Sequence, residues 1–416
     1  MKRAWCLSLT AICVFTACSR EVVLFKPERT AATGGVNTDA GDVRDASADS
    51  SAAEPLSDGG AVSPARALGL GLNHGCTVQA GALYCWGGNG QGELGLGNTK
   101  AVMRATRVGT GANWRDVCGG EEHTCALRDD GSVWCWGKNL HGELGVGDKD
   151  PRLLPTRVAD SNFVRIACGG YNTCGIRSDG AIFCWGDNWE GKLGLGDPFG
   201  TPDGTKPSAV SGALSFRELS LGQGNVVGVT REGALYCWGR NTDGQCGTMS
   251  DVGQLRSPTR VGTDSDYTHV STGMRQTCAI KVDGRLFCWG TDSGGSLGLG
   301  VADDTLKSTP QQVGAKSDWT EVHVLWFHTC ARRGAGALYC WGRNAEGQLG
   351  LGDIEPRNVP ERVGSVEDWQ ELAIGRFFSC GLRPSGLYCW GINDEWYELG
   401  LPDLERRYEP TLVPLP

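Results

Sequence analysis

The chain has 416 residues and a net charge of −9, which leaves no basic surplus of the kind that nucleic acid demands. Its 64 glycines count against a helical protein, since glycine costs about 1 kcal/mol relative to alanine inside a helix. Glycine-rich turns between short apolar runs, with 15 tryptophans and 19 cysteines, point instead to an all-β repeat protein.

At the N-terminus Lys2 and Arg3 precede an apolar run from Ala4 to Val14, followed by Phe15-Thr16-Ala17-Cys18. The run is short of the roughly 20 residues a spanning helix needs. Charge, apolar stretch and small residues in that order make a secretory signal over residues 1–17. The ending resembles the lipobox of bacterial lipoproteins, with Phe15 where leucine is commonest. The resemblance implies lipidation of Cys18 and, from Ser19, sorting to the outer membrane or cell surface, with the lipid as the membrane anchor. Residues 18–65 are rich in Ala, Ser, Asp, Gly and Thr. Such a segment buries too little surface to offset its ordering entropy and reads as a flexible tether.

From residue 66 one unit recurs, anchored on Cys-Trp-Gly at Trp86, Trp136, Trp185, Trp238, Trp289, Trp341 and Trp390, at spacings of 50, 49, 53, 51, 52 and 49. Four short strands fit each unit: one around Val117, a hairpin over 124–128 and 132–136, and a Pro-Thr-Arg-Val segment. Apolar residues occupy both parities of the hairpin, as in Ile182-Phe183-Cys184-Trp185, so both faces are buried. Small sheets buried on both faces are propeller blades, each packed between two neighbours. The fold expected for 66–416 is therefore an all-β, seven-bladed β-propeller of about 50 residues per blade. No Pro-Thr-Arg-Val segment precedes the first repeat, and Pro410-Thr411-Leu412-Val413 has no repeat after it. The C-terminal strand is thus expected to complete the first blade and close the ring.

The run Cys-Trp-Gly-x-Asn-x-x-Gly-x-Leu-Gly, as in Cys340-Trp341-Gly342-Arg343-Asn344 through Gly347, Leu349 and Gly350, resembles the regulator of chromosome condensation repeat. That resemblance covers residues 66–416 and implies the same seven-bladed propeller. Its founding activity, nucleotide exchange on a nuclear GTPase with chromatin binding, is not expected of an exported acidic chain, because fold does not fix function.

The repeat cysteines pair by hairpin arithmetic. A three-residue loop Asp129-Asp130-Gly131 sets Cys125 opposite Cys135, and the same register joins Cys174 to Cys184 and Cys278 to Cys288. In the first repeat a shorter Ala80-Gly81 loop and a shorter spacing keep Cys76 opposite Cys85. Cys330 with Cys340 and Cys380 with Cys389 follow the pattern. Directly opposed residues lie within disulfide range, and an exported protein meets the oxidising conditions that form the bond. Val227 displaces the first cysteine of the fourth repeat, so Cys237 has Cys246 as its available partner. Cys118 and Cys168 stand at non-equivalent offsets and read as buried thiols.

Little in the chain carries reaction chemistry. His74, His123 and His328 share one repeat position, which marks them as structural hydrogen-bonders. Gly90-x-Gly92-x-x-Gly95 matches a dinucleotide fingerprint but opens no helix. No catalytic residue, cofactor or metal site is expected. Strand parity puts the first and third loops of every blade on one rim and the hairpin turns on the other. The repeat breaks on the first rim: Trp326 replaces a glycine beside Phe327, Tyr171 and Phe377 lie in equivalent loops, and Trp189, Phe199, Trp396 and Tyr397 lie in third loops. Trp and Tyr dominate binding hot spots, so this rim is the expected partner site. The expected function is a monomeric, non-enzymatic, protein-binding propeller at the cell envelope. The alternatives are an inhibitor of a secreted enzyme, by resemblance to an enzyme-inhibitory propeller of the same repeat type, and an enzyme or lectin acting on surface glycans.

Overall fold

The computed structural model describes residues 67–416 apart from 161, 198–201, 249–251 and 302–304. Cys18, the signal, the tether and Phe199 lie outside the described residues. Seven four-stranded antiparallel sheets follow one another, each a meander paired in chain order. The second blade, for example, comprises Trp114–Gly119, His123–Arg128, Val133–Gly137 and Arg152–Arg157, from the channel outward. The only helical elements among the described residues are single turns at Trp189–Gly191 and Ser293–Gly295.

An apolar cluster fills each boundary between neighbouring blades. Trp136 of the second blade packs with Cys76, Leu83 and Leu94 of the first, and Trp390 of the seventh with Leu338, Cys340 and Leu349 of the sixth. The outermost strands carry Pro155, Pro207, Pro258, Pro310, Pro360 and Pro410. A proline offers no N–H to another strand, which blunts an edge that would otherwise template pairing.

Ring closure differs from the sequence expectation. Arg407–Val413 pairs with Gly386–Gly391 of its own blade, in the register Tyr388↔Leu412, while the first blade takes Val102–Arg107 as its outer strand. Each outer strand follows its own Cys-Trp-Gly anchor, so no blade is left short and no strand is exchanged. Ala105 stands where the other outer strands have proline, and this removes the signature by which the first one would be counted. The seam closes by packing and hydrogen bonds: Leu68, Leu70 and Trp86 meet Ala373, Phe378 and Leu399. The Glu371 carboxylate accepts the Ala67 and Leu68 N–H groups, each at 3.1 Å.

The six hairpin cysteine pairs are bonded across directly opposed residues, with Cα atoms 4.1 Å apart. Cys237 is bonded to Cys246, and Val227 lies opposite Cys237 in the hairpin. Cys118 and Cys168 are bonded rather than free, joining the second blade to the third. The inner strands converge on the central channel, and the one-residue offset that made the two look unrelated sets them diagonally adjacent, with Cα atoms 5.4 Å apart.

Candidate interaction face

The repeat motif builds a layer that joins each blade to the next. In the first third loop, Asn89 Oδ1 accepts the Leu94 N–H at 2.9 Å and its Nδ2 donates to the Asn98 and Lys100 carbonyls. Asn139, Asn344 and Asn393 do the same in their loops. The loop so held presents the Glu93 carbonyl to the second blade, where Trp136 Nε1 donates to it at 2.7 Å and Thr124 Oγ1 at 2.8 Å. Gly95 has φ 67, and a Cβ there would lie 2.9 Å from Trp136 Nε1, so the position admits only glycine.

The shared histidines complete this layer. The Thr124 hydroxyl gives its proton to Glu93, so His74 Nε2 is the donor in their 2.8 Å contact. His123 meets Thr173 at 2.9 Å and His328 meets Ser379 at 3.0 Å in the same way. Burial lowers His74 to about 4 and His123 and His328 to about 3, so all three are neutral at pH 7 and tie one blade to the next. Burial also lifts the third-loop carboxyls Glu93 and Glu143, and Glu398 as far as about 8, where the neighbouring Asp394 charge adds to the effect. Gln245 and Gln348 fill equivalent places as neutral amides.

Above this layer the rim varies. Trp189 is 75% exposed and Trp396 39%, and the other rings predicted for this rim within the described residues, Tyr171, Trp326, Phe327, Phe377 and Tyr397, are half-buried. They form three separate groups. Tyr171 packs against His141, with ring centroids 5.5 Å apart, beneath the Lys138 ammonium. With Trp189 and Arg256 these two residues line a cleft. Trp396 and Tyr397 sit over the seam near Gly88, in a turn where Tyr397 has φ 55. Trp326, Phe327 and Phe377 form one cluster on the sixth and seventh blades.

The backbone at Trp326 departs from the repeat. Glycine occupies the residue after the inner strand in the other blades, and at Gly71, Gly120 and Gly375 a Cβ would lie 2.1 Å from a ring atom of His74, His123 or Phe378. Register puts Leu325, not Trp326, at that place in the sixth blade. The loop there tightens to a two-residue hairpin with Trp326 at φ 44, a left-handed position that such hairpins normally give to glycine.

His141, Asp187 and Asp203 bring potential metal-ligating atoms within 4.8 Å of one another. Lys192 already holds Asp187 at 2.6 Å and Lys149 holds Asp203 at 2.9 Å, which leaves little charge for a cation. The second such grouping, His123 with Cys125 and Cys168, uses sulfurs committed to disulfides. Sequence reasoning singled out aromatic residues of the rim and passed over its charged and amide ones. Lys138 and Arg343 occupy the variable place in Cys-Trp-Gly-x-Asn, and Glu121, Gln223 and Arg376 follow the glycine of the first loop. Reading those two places across the repeats would have found them.

Known proteins share this architecture. The family model described as the Regulator of chromosome condensation (RCC1) repeat matches residues 80–127, 130–176, 232–280, 283–332 and 335–382. A second model of that repeat matches 114–143, 163–191 and 216–245. The Ultraviolet-B receptor UVR8 of Arabidopsis thaliana is 31% identical over 278 residues, 65% of this chain and 51% of that protein. Human Regulator of chromosome condensation is 29% identical over 147 residues, 35% of each chain. The chain thus spans about half or less of the curated relatives it matches. Among solved structures, Prp20p from Saccharomyces cerevisiae superposes with a TM-score of 0.70 at 21% identity, covering 82% of this chain and 87% of that one. Human WBSCR16 gives 0.66 at 20% identity, covering 74% and 83%. At that identity the structures speak for the fold alone, whereas the repeat matches span more than half of the sequence: the chain belongs to the regulator of chromosome condensation repeat family.

Proposed function

We propose that this protein is a non-enzymatic, protein-binding propeller, exported and anchored at the bacterial cell envelope through lipid on Cys18, and that it takes its partner on the rim of the first and third loops. The observation that carries this reading is Trp189. Its ring is 75% exposed at a place where other repeats have Gly90, Thr242, Ser293 and Ala345. Holding so large an apolar ring in water gains the fold nothing, whereas a partner that buries it gains a hot-spot anchor. Prp20p has binding properties toward Gsp1p and histones, and yeast RCC1 was solved with Kap60 bound, so propellers of this fold do serve as protein-binding platforms.

The test is capture from envelope and culture-fluid proteins with the full chain as bait, beside a bait carrying Trp189→Ala, Trp396→Ala and Tyr397→Ala. A partner held by the first and lost by the second, at equal thermal stability, is the expected result. A partner indifferent to all three changes would overturn the assignment of the rim. Labelled palmitate should enter the chain in a bacterial host, and Cys18→Ser should abolish the label; label retained in that variant would remove the anchor from the proposal.

A further inference from the structure

The sixth and seventh blades bring a distinct chemistry to the rim. The Arg376 guanidinium lies over the Trp326 ring at 4.6 Å and the Phe377 ring at 4.7 Å. Arg343 lies over Phe377 at 5.2 Å and Phe327 at 5.9 Å, and the Trp326 and Phe327 rings meet edge to face at 5.7 Å. Stacking engages the faces of a guanidinium and leaves its in-plane N–H donors for a planar anion.

The charges around the cluster do not balance. Arg343 and Arg406 share the single carboxylate of Glu346, at 3.8 and 2.9 Å. Arg376 pairs with no carboxylate among the described residues, and its Nε is buried without a hydrogen-bond partner. The hairpin that presents the cluster is itself held in place, because Gln276 Nε2 donates to the Trp326 carbonyl at 2.9 Å. Across the channel mouth Glu121 accepts a hydrogen bond from Gln223, and Glu122 pairs with Lys138.

We propose that the Arg343–Arg376 cluster recognises an acidic segment of a polypeptide, with an Asp or Glu carboxylate taken in the plane of the Arg376 guanidinium and an apolar neighbour laid on Trp326. The inference rests on the rim being the partner face, and it adds a contact of stated chemistry on the arc of the sixth and seventh blades.

The test is fluorescence anisotropy of the full chain with a labelled peptide of repeated Glu-Gly-Leu, beside a Gln-Gly-Leu peptide of equal length. The Glu peptide should bind saturably and weaken with salt. Replacing Glu by Gln, or introducing Arg376→Gln, should each lower affinity about tenfold or more, the scale of one charge-assisted hydrogen bond. Arg376→Lys, which keeps the charge and loses the planar fork, should fall between and serves as the folding control. No saturable binding of the Glu peptide, equal binding of the Gln peptide, or unchanged affinity in Arg376→Gln would each overturn the inference. Partner capture separates the two proposals. If the Trp189, Trp396 and Tyr397 changes release the partner and Arg376→Gln does not, the rim stands and the acidic segment falls. If neither releases it, the rim itself falls.

Discussion

The layer that joins the blades and the rim above it are made by the same loops, yet they treat the repeat in opposite ways. In the joining layer Asn89, Asn139, Asn344 and Asn393 make the same hydrogen bonds, and Trp136, Trp341 and Trp390 donate to equivalent carbonyls. On the rim, one place holds Gly90, Leu140, Trp189, Thr242, Ser293 and Ala345 in turn. A buried group that loses its hydrogen-bond partner is costly, so substitution there is costly. A residue facing water carries no such demand, and what it does hold is free to serve a partner.

The largest expected effect falls on the joining layer. Trp341 is fully buried and donates to the Ser296 carbonyl at 3.0 Å. Trp341→Ala should cost about 3–5 kcal/mol in urea denaturation. A loss below about 1 kcal/mol would erase the distinction between layer and rim.

Acid should act on the same layer. The buried histidines have folded values near 3 to 4 against 6.5 unfolded, so below pH 6.5 the unfolded chain binds more protons than the folded one. Stability should then fall as pH drops from 6.5 toward 4, by about 1.4 kcal/mol per pH unit for each histidine as an upper bound. His328→Gln should make that slope shallower in urea titrations between pH 7 and 4.5. Glu398 works with the opposite sign. Its carboxyl is raised to about 8 from 4.5, so the fold favours the protonated form and stability falls as pH rises through that window. Glu398→Gln, the neutral residue used at Gln245 and Gln348, should stabilise the protein at pH 8 by on the order of 2 kcal/mol and leave it unchanged at pH 4.

The smallest effect on stability should come from the rim. Trp326→Gly relieves a left-handed residue, worth about 1–2 kcal/mol, and gives up a half-buried ring of similar value. Melting should therefore shift by less than about 1 kcal/mol equivalent while partner capture is lost. A large destabilisation with capture intact would move Trp326 from the rim into the layer.

These contrasts explain what the sequence made legible. Blade number, strand order within a blade and the hairpin pairings follow from a period and a register, and each is repeated often enough to check itself. The C-terminal strand was misassigned because Ala105 interrupts the proline signature that would have shown the first outer strand. Cys118 and Cys168 looked unpaired because strands of different blades carry no shared register in the sequence. The Arg376 cluster was invisible for a related reason: Arg376, Arg343 and Trp326 come together only when two blades pack side by side. Contacts within a repeat are written along the chain, and contacts between unlike repeats are not.

Because Arg407–Val413 stays in its own blade, no exchanged strand latches the two ends of the ring together among the described residues; they are joined by side-chain packing, the Glu371 carboxylate and the hydrogen bond that Trp86 Nε1 donates to the Glu398 carbonyl at 2.9 Å. Every blade is topologically a closed module, and the seam is one inter-blade joint among seven rather than a lock. The molecule can therefore be opened there and rejoined elsewhere: new termini cut into any link between blades, with the old ends fused, should still yield a propeller. The same lack of an exchanged strand makes the inner strand Leu68–Leu70, three residues long, the place where hydrogen exchange should report the first breathing of the ring.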